Sequence, residues 1–406
     1  MNQRAVVVPP TERAIEAPGA LIGHDAATLR NRLQSISSGL FPPDAAKTLR
    51  RFAASEAAKI LGVTVQRLSQ LEGDEAVPDP EVSNTGRRSY SLDDIHAIRL
   101  HLDKVTKTDR RYDPRREDGE HLQVISVVNF KGGSGKTTTA AHLAQSLALR
   151  GYRVLAIDLD PQASLSALLG VQPEIDVAPN QTLYAAIRYD DDRRALSEVI
   201  RRTYFAGLDL VPANLELQDF EFDTPRALTS RQPGEPLFFE RMARVLDEVE
   251  AEYDVVVVDC PPQLGYLTLS ALSAATALLV TVHPQMLDVA SMSQFLAMVE
   301  DLLSVISEQG ATLSYDWISY LITRYEPQDG PQTQVVGMLR DLFGDRVLTS
   351  PMLKSSAVSD AGLSKQTLYE MGRAGVTRST YDRALEAVDL VNSEIEAKMQ
   401  RGWGRA

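Results

Sequence analysis

The chain has 406 residues, with 42 Lys and Arg against 55 Asp and Glu, a formal net charge of −13. Its 44% hydrophobic and 24% charged residues suit a globular protein with a large core and two or three domains. No apolar run approaches the roughly 18 residues of a membrane span and the N-terminus lacks a signal-type apolar stretch, so a cytoplasmic location is expected. The single cysteine, Cys260, excludes an intramolecular disulfide and a multi-thiolate cluster within one chain.

The acidity is unevenly distributed. Residues 1–116 hold 18 Lys and Arg against 15 Asp and Glu, a net of +3 that leaves −16 for the rest. A small basic module joined to a larger acidic one is compatible with DNA binding, because local patches decide that contact.

In chain order, residues 1–20 are Pro- and Ala-rich and are expected to be mobile. Leu29, Leu33 and Ile36 then space an amphipathic helix from Asp25 to Ser38, ended by Pro42 and Pro43. Its apolar face serves either its own domain or a contact between subunits; the first segment, 1–50, is accordingly a possible dimerisation element. Residues 51–103 form a compact helical unit. In it Ser55 is expected to cap a helix running through Lys59, Gly62 makes a turn, and Thr64 caps a second helix bearing Gln66, Arg67, Ser69 and Gln70. The stretch Asn84 to Tyr90 reads as a wing with Gly86 at its tip and Arg87 and Arg88 available to phosphates, and Ser91 caps the next helix. The unit resembles a winged helix-turn-helix of the MerR-like kind, which implies groove reading by the second helix and phosphate contact by the wing. Residues 104–122 are charged, poor in aliphatics and carry a proline, the composition of a linker.

From residue 123 to 406 the pattern changes to buried strands alternating with helices: 123–130, 153–160, 208–213, 253–260, 277–282 and 317–322 are strands, and 362–400 is helical. That alternation predicts an α/β fold with a mostly parallel sheet flanked by helices, preceded by the all-α reader unit. Between the first strand and its helix lies Lys131-Gly132-Gly133-Ser134-Gly135-Lys136-Thr137-Thr138. Glycines here allow consecutive backbone N–H groups to close on a phosphate. Lys136 neutralises its β- and γ-oxygens, and the Thr137 hydroxyl reaches Mg²⁺. The four valines 255–258 deliver Asp259 to the carboxyl end of a buried strand, the place of a carboxylate that holds Mg²⁺ through water. Asp158 and Asp160 end another strand.

The early lysine, five residues before Lys136, is the mark by which this loop resembles the deviant Walker A loop of the ParA/MinD group of P-loop ATPases. That resemblance implies an ATPase fold, ATP and Mg²⁺ as ligands, and a homodimer in which each Lys131 crosses to its partner's triphosphate. It further implies that Asp160 positions the attacking water, that Asp158 supports the metal sphere, and that Thr323, Arg324 and Pro351 lie near adenine. The catalytic set is then Lys131, Lys136 and Asp160. With the reader unit and the C-terminal pattern of residues 378–404, the likeness is to the partition proteins of repABC plasmids and covers residues 20–404. It implies a plasmid partition ATPase that binds DNA non-specifically as an ATP dimer, answers to a ParB-type (RepB) partner and represses its own operon through the reader. Arg340, Arg346, Lys354, Arg373, Arg378 and Arg383 are candidates for non-specific DNA contact, or else pair with nearby carboxylates. The competing reading, a MinD-like membrane-positioning ATPase, needs a basic C-terminal anchor, whereas the last helix carries Glu386, Asp389, Glu394 and Glu396. A metabolic enzyme on the same scaffold finds no second substrate pocket in the sequence.

Overall fold

The computed structural model describes residues 18–40, 47–106, 111–308, 313–372 and 377–405. The N-terminal segment expected to be mobile falls outside them up to residue 17, as does Arg373. The chain divides into two units, Met1–Lys47 and Thr48–Ala406. In the first, helix α1 (Pro18–Leu40) is longer than the Asp25–Ser38 expected, and its described side chains, Leu21, Ile22 and Leu29 included, are exposed. Leu33 and Ile36 lie among the side chains outside the description.

The second unit begins with the small reader. Strand β1 (Phe52–Ala53), helix α2 (Ala54–Leu61) and helix α3 (Val65–Gln70) are followed by β2 (Glu81–Val82), β3 (Arg88–Tyr90) and α4 (Leu92–Val105). The strands pair antiparallel in the order β1-β3-β2, so the wing is a hairpin closed at Gly86, whose φ of 75° suits glycine. Helix α2 starts two residues earlier than a Ser55 cap allows. Ala53 is the N-cap and offers no side-chain cap bond, and Glu56 three residues on accepts its backbone N–H at 3.0 Å, the Glu half of a capping box. The other expected caps are present. Thr64 Oγ1 accepts from Arg67 N at 3.1 Å, and Ser91 and Asp94 cap α4 reciprocally.

The larger part holds seven strands in the order β10-β9-β4-β8-β5-β7-β6. These are β4 (Gln123–Val128), β5 (Val154–Asp158), β6 (Arg201–Arg202), β7 (Leu208–Val211), β8 (Val255–Asp259), β9 (Ala277–Val282) and β10 (Trp317–Ile322). All pairings are parallel except β6 with β7, and β6, two residues long, was not foreseen. Helix α5 (Lys136–Arg150) follows β4. The short helices α6 (Ser164–Leu168), α7 (Pro173–Asp176) and α8 (Leu183–Ile187) lie between β5 and β6. Then come α9 (Leu217–Ser230), α10 (Phe238–Asp247), α11 (Tyr266–Ala274), α12 (Met286–Glu308) and α13 (Gly330–Phe343). The chain closes with α14 (Ser356–Leu363), α15 (Leu368–Met371) and α16 (Arg378–Gly402).

Strands β4, β8 and β9 are buried along their whole length because helices cover both faces. Alternate residues serve the two layers: Ile125, Val127, Val255 and Val257 pack with α5, α14 and α16, whereas Val124, Val128, Val256 and Val258 pack with α10 to α13. By the same alternation Asp158 and Asp259, paired in register at the strand ends, share the face of α5.

Reader and sheet meet at the far end of α5. Arg99 of α4, 8% exposed, donates to the carbonyls of Ile60 at 2.8 Å, Tyr112 at 3.3 Å and Leu149 at 3.5 Å. His96 Nε2 bonds the Ala148 carbonyl at 2.8 Å. The Leu149 and Ala148 carbonyls lie in the last turn of α5, the end at which a cation such as Arg99 is favoured, and Ala148 O also accepts the Gly151 N–H at 3.0 Å. Burial lowers the Arg99 guanidinium to about 10, still charged at neutral pH. The expected linker is no free tether either. Lys107 to Arg110 lie outside the described residues, but from Arg111 onward the chain is bonded down. Arg116 donates to Tyr253 O, and Arg405 donates to the carbonyls of Pro114 and Arg115, both at 2.8 Å.

Candidate nucleotide site

The loop between β4 and α5 has the shape its glycines permit. Gly133 and Gly135 adopt φ of 77° and 89°, a region closed to most side chains, and Gly135 is the N-cap of α5. The loop is tied down from behind: Thr323 Oγ1 donates to Ser134 O at 2.7 Å, Thr281 Oγ1 to Ser134 Oγ at 3.0 Å, and Arg324 to Gly133 O at 3.2 Å. Lys136 is 6% exposed and its Nζ bends back to the Lys131 carbonyl at 3.3 Å. Burial lowers its pKa, opposed by the nearby Asp259 carboxylate.

In front of the loop lies a cavity of about 580 Å³, large enough for a nucleoside triphosphate. Its phosphate end is lined by Gly132, Gly133, Gly135, Lys136, Thr137 and Thr138, with Asp160 and Gln162 opposite. Met352, Val358, Ala384 and Val388, from the α13–α14 connection, α14 and α16, give the other end an apolar wall suited to a base. Of the residues expected near adenine, Thr323 and Arg324 line the cavity from the loop side, and Pro351 does not line it; its successors Met352 to Ser355 do. The apolar wall from α16 carried no motif and was not foreseen.

The two strand-end aspartates differ in what holds them. Asp158, wholly buried, accepts from Ser166 N and Oγ, both at 2.8 Å, and from Asp160 N at 3.1 Å, so it braces the turn that carries Asp160. Burial pushes its carboxyl up to about 7. Asp259 is equally buried, yet neither of its oxygens has a hydrogen-bond partner among the described residues. Burial and then the Asp158 charge raise its pKa, against which the Thr137 hydroxyl and then the Lys136 ammonium work. An orphaned buried carboxylate beside a threonine hydroxyl and a phosphate cradle fits a hydrated Mg²⁺, which takes few protein ligands and keeps waters and phosphate oxygens. The described residues contain no group of three or more His, Cys, Asp or Glu that could hold a metal ion. Cys260 is buried with its thiol pKa raised by burial, and is inert packing.

Lys131 lies outside this cavity. It lines a neighbouring one of about 340 Å³ with Asn129, His283, Gln285, Asp288 and Arg324, and its Nζ is ion-paired to Asp288 at the start of α12. Along α12, Met286, Leu287, Met298 and Val305 are exposed, and this is the one described helix long and apolar enough to cross a membrane by length and composition.

At the reader, Gln66, Arg67 and Gln70 are exposed on α3, with Leu68 turned into the core. Arg87 is exposed, but Arg88 is paired with Glu72 at 3.1 Å and donates to Ser69 at 3.4 Å. Of the other cations, Lys354 pairs with Glu326, Arg378 with Asp382, Arg340 donates to Thr349 O, and Arg346 sits over the Phe343 ring. Arg383 alone of the described candidates is exposed with none of these ties.

Residues 122–309 match the family described as AAA domain. The chain is 59% identical over 386 residues to a protein of Rhizobium rhizogenes provisionally named replication protein A, covering 95% of this chain and 96% of that one. It is 30% identical over 335 residues to SopA of Escherichia coli strain K12, covering 81% and 82%. A solved "Partition Protein" superposes with a TM-score of 0.64 at 19% identity, covering 92% of this chain and 98% of that one.

Proposed function

The chain belongs to the ParA-type family of partition ATPases, and from that premise we propose that it is the ATP-driven component of a plasmid partition system with an operator-reading domain of its own. The observation that carries this reading is the deviant loop itself, with Lys136 folded into the nucleotide cavity and Lys131 facing away from it.

Each residue has a part. Backbone N–H groups of the loop and Lys136 hold the phosphates. Thr137 and Asp259 hold Mg²⁺, which neutralises charge on the β- and γ-phosphates when bound. Asp160 orients the attacking water, and Asp158, bonded to Ser166 and to Asp160 N, fixes the turn on which Asp160 stands. Lys131 reaches the triphosphate of a second copy, so ATP joins two protomers, and the exposed apolar residues of α12 beside it supply surface for that contact. The dimer binds DNA without sequence preference through exposed cations such as Arg383. A centromere-bound ParB-type partner speeds hydrolysis and release, and α1 offers a further contact between subunits. The membrane-positioning alternative is disfavoured by the acidic face of α16.

In the nucleotide-poor or ADP state the reader represses its operon. Thr64, Gln66, Arg67 and Gln70 present α3 to the groove, with Arg87 and Arg88 at the backbone. Arg87→Ala with Arg88→Ala is expected to weaken operator binding and to flatten its salt dependence by about one phosphate contact rather than two, because Arg88 already serves Glu72. An unaltered slope of log affinity against log salt removes the wing from the interface. The reading as a whole is tested by the DNA footprint and oligomeric mass across apo, ADP and ATP states. A sequence-specific footprint without ATP should give way to an ATP-dependent dimer that coats DNA; one mass and one footprint in all three states refute it.

A further inference from the structure

The topology brings one carboxylate to Lys131. Strands β4 and β9 are neighbours, so the loop leaving β4 and the helix that follows β9 emerge side by side. Asn129 joins them: its Nδ2 donates to Thr281 O on β9 while its Oδ1 accepts the Lys131 backbone N–H at 2.8 Å. Asp288, on the first turn of α12, then meets the Lys131 ammonium with one oxygen and His283 Nδ1, at 2.9 Å, with the other. The Asp288 side chain is 7% exposed and that of Lys131 is 46% exposed. A carboxylate so buried and held from a second side has a fixed direction, and it is the flexible lysine that must come to it.

We propose that Asp288, oriented by His283, is the positioning residue that holds Lys131 within its own protomer and releases it only to a partner's triphosphate. This rests on the trans role given to Lys131 above and adds its regulation. A lysine held in cis is unavailable to the partner, so the apparent dimer affinity falls by the fraction of chains in which it is free. Triphosphate, with more charge than diphosphate at that place, competes with Asp288 for the ammonium. The contact therefore sets a threshold that separates ATP from ADP. When Lys131 leaves, the His283 bond keeps one oxygen of the buried carboxylate satisfied, so release does not orphan it.

The test uses the full-length chain and sedimentation velocity across a series of ATPγS and ADP concentrations. Asp288→Asn keeps the shape and a bond to His283 but removes the charge. It should dimerise about five- to tenfold more tightly with ATPγS, show a measurable dimer fraction with ADP, and leave the monomer's affinity for a fluorescent ADP analogue unchanged. Asp288→Glu should restore much of the wild-type threshold, and His283→Gln should move it less than Asp288→Asn and in the same direction, which covers the case of a poorly folding Asn variant. In a Lys131→Ala background the Asp288→Asn effect should vanish. Dimer affinity unchanged or weakened by Asp288→Asn, or a gain that survives without Lys131, overturns the proposal. If Lys131→Ala alone dimerises like wild type, the trans role itself is wrong and the proposal falls with it.

Discussion

Replacing Lys131 by alanine is expected to weaken ATP-dependent dimerisation by about 100-fold or more and to abolish ATP-dependent DNA retention with it. A symmetric dimer loses two lysine–phosphate contacts, each a charged hydrogen bond of about 1.5–3 kcal/mol, and each 1.4 kcal/mol is about tenfold in affinity. The same change should leave nucleotide affinity of the monomer close to wild type, because the Lys131 side chain lines the neighbouring cavity and the phosphates face Lys136. Sedimentation of the variant with ATPγS, paired with a DNA-retention isotherm, reads both effects. A wild-type isotherm would remove the lysine from the interface.

Asp160→Ala is expected to reverse the pattern, with hydrolysis falling by about 100-fold while the ATP dimer forms and stays on DNA longer than wild type. Phosphoryl transfer asks the protein mainly for alignment and charge neutralisation, and losing the group that aligns the water costs about 10²–10⁴. Asp160 lines the nucleotide cavity, and its turn is fixed by Asp158 from below and by its own acceptance of Gln162 N at 2.9 Å. Binding contacts made by the loop and by Asp259 are untouched. Single-turnover hydrolysis and the lifetime on DNA should therefore move in opposite directions. A rate within two- or threefold of wild type places the water elsewhere.

What could be read from the sequence follows from how local each signal is. The phosphate loop is local: its glycines must take positive φ and its lysine and threonine must follow at once, so order in the chain is order in space. The six foreseen strands are local too, being short apolar runs bounded by turns. Ser55 failed as a cap because the helix begins at Ala54, which puts Ser55 inside its first turn and Glu56 in reach of the Ala53 N–H. Strand β6 is two residues that pair because β7 lies beside them, with no alternation to show it. Asp288 and His283 reach Lys131 across more than 150 positions, through the adjacency of β4 and β9, and "HPQMLD" carries no pattern that announces it. The seam between reader and sheet was missed for the opposite reason: residues 104–122 have the composition of a free tether, but Arg99, Arg116 and Arg405 spend their charge on backbone carbonyls.

That seam bears on how two copies of the small N-terminal unit would sit in the proposed dimer. Two readers hung on loose cords would accept recognition sequences at many separations. Here each is bolted through Arg99 and His96 to the rear of α5, so pairing the ATPase bodies also sets the distance and angle between the two reading helices. In the proposed ATP-joined dimer the span between the two reading helices would thus be dictated by the ATPase bodies, like the fixed jaws of a caliper.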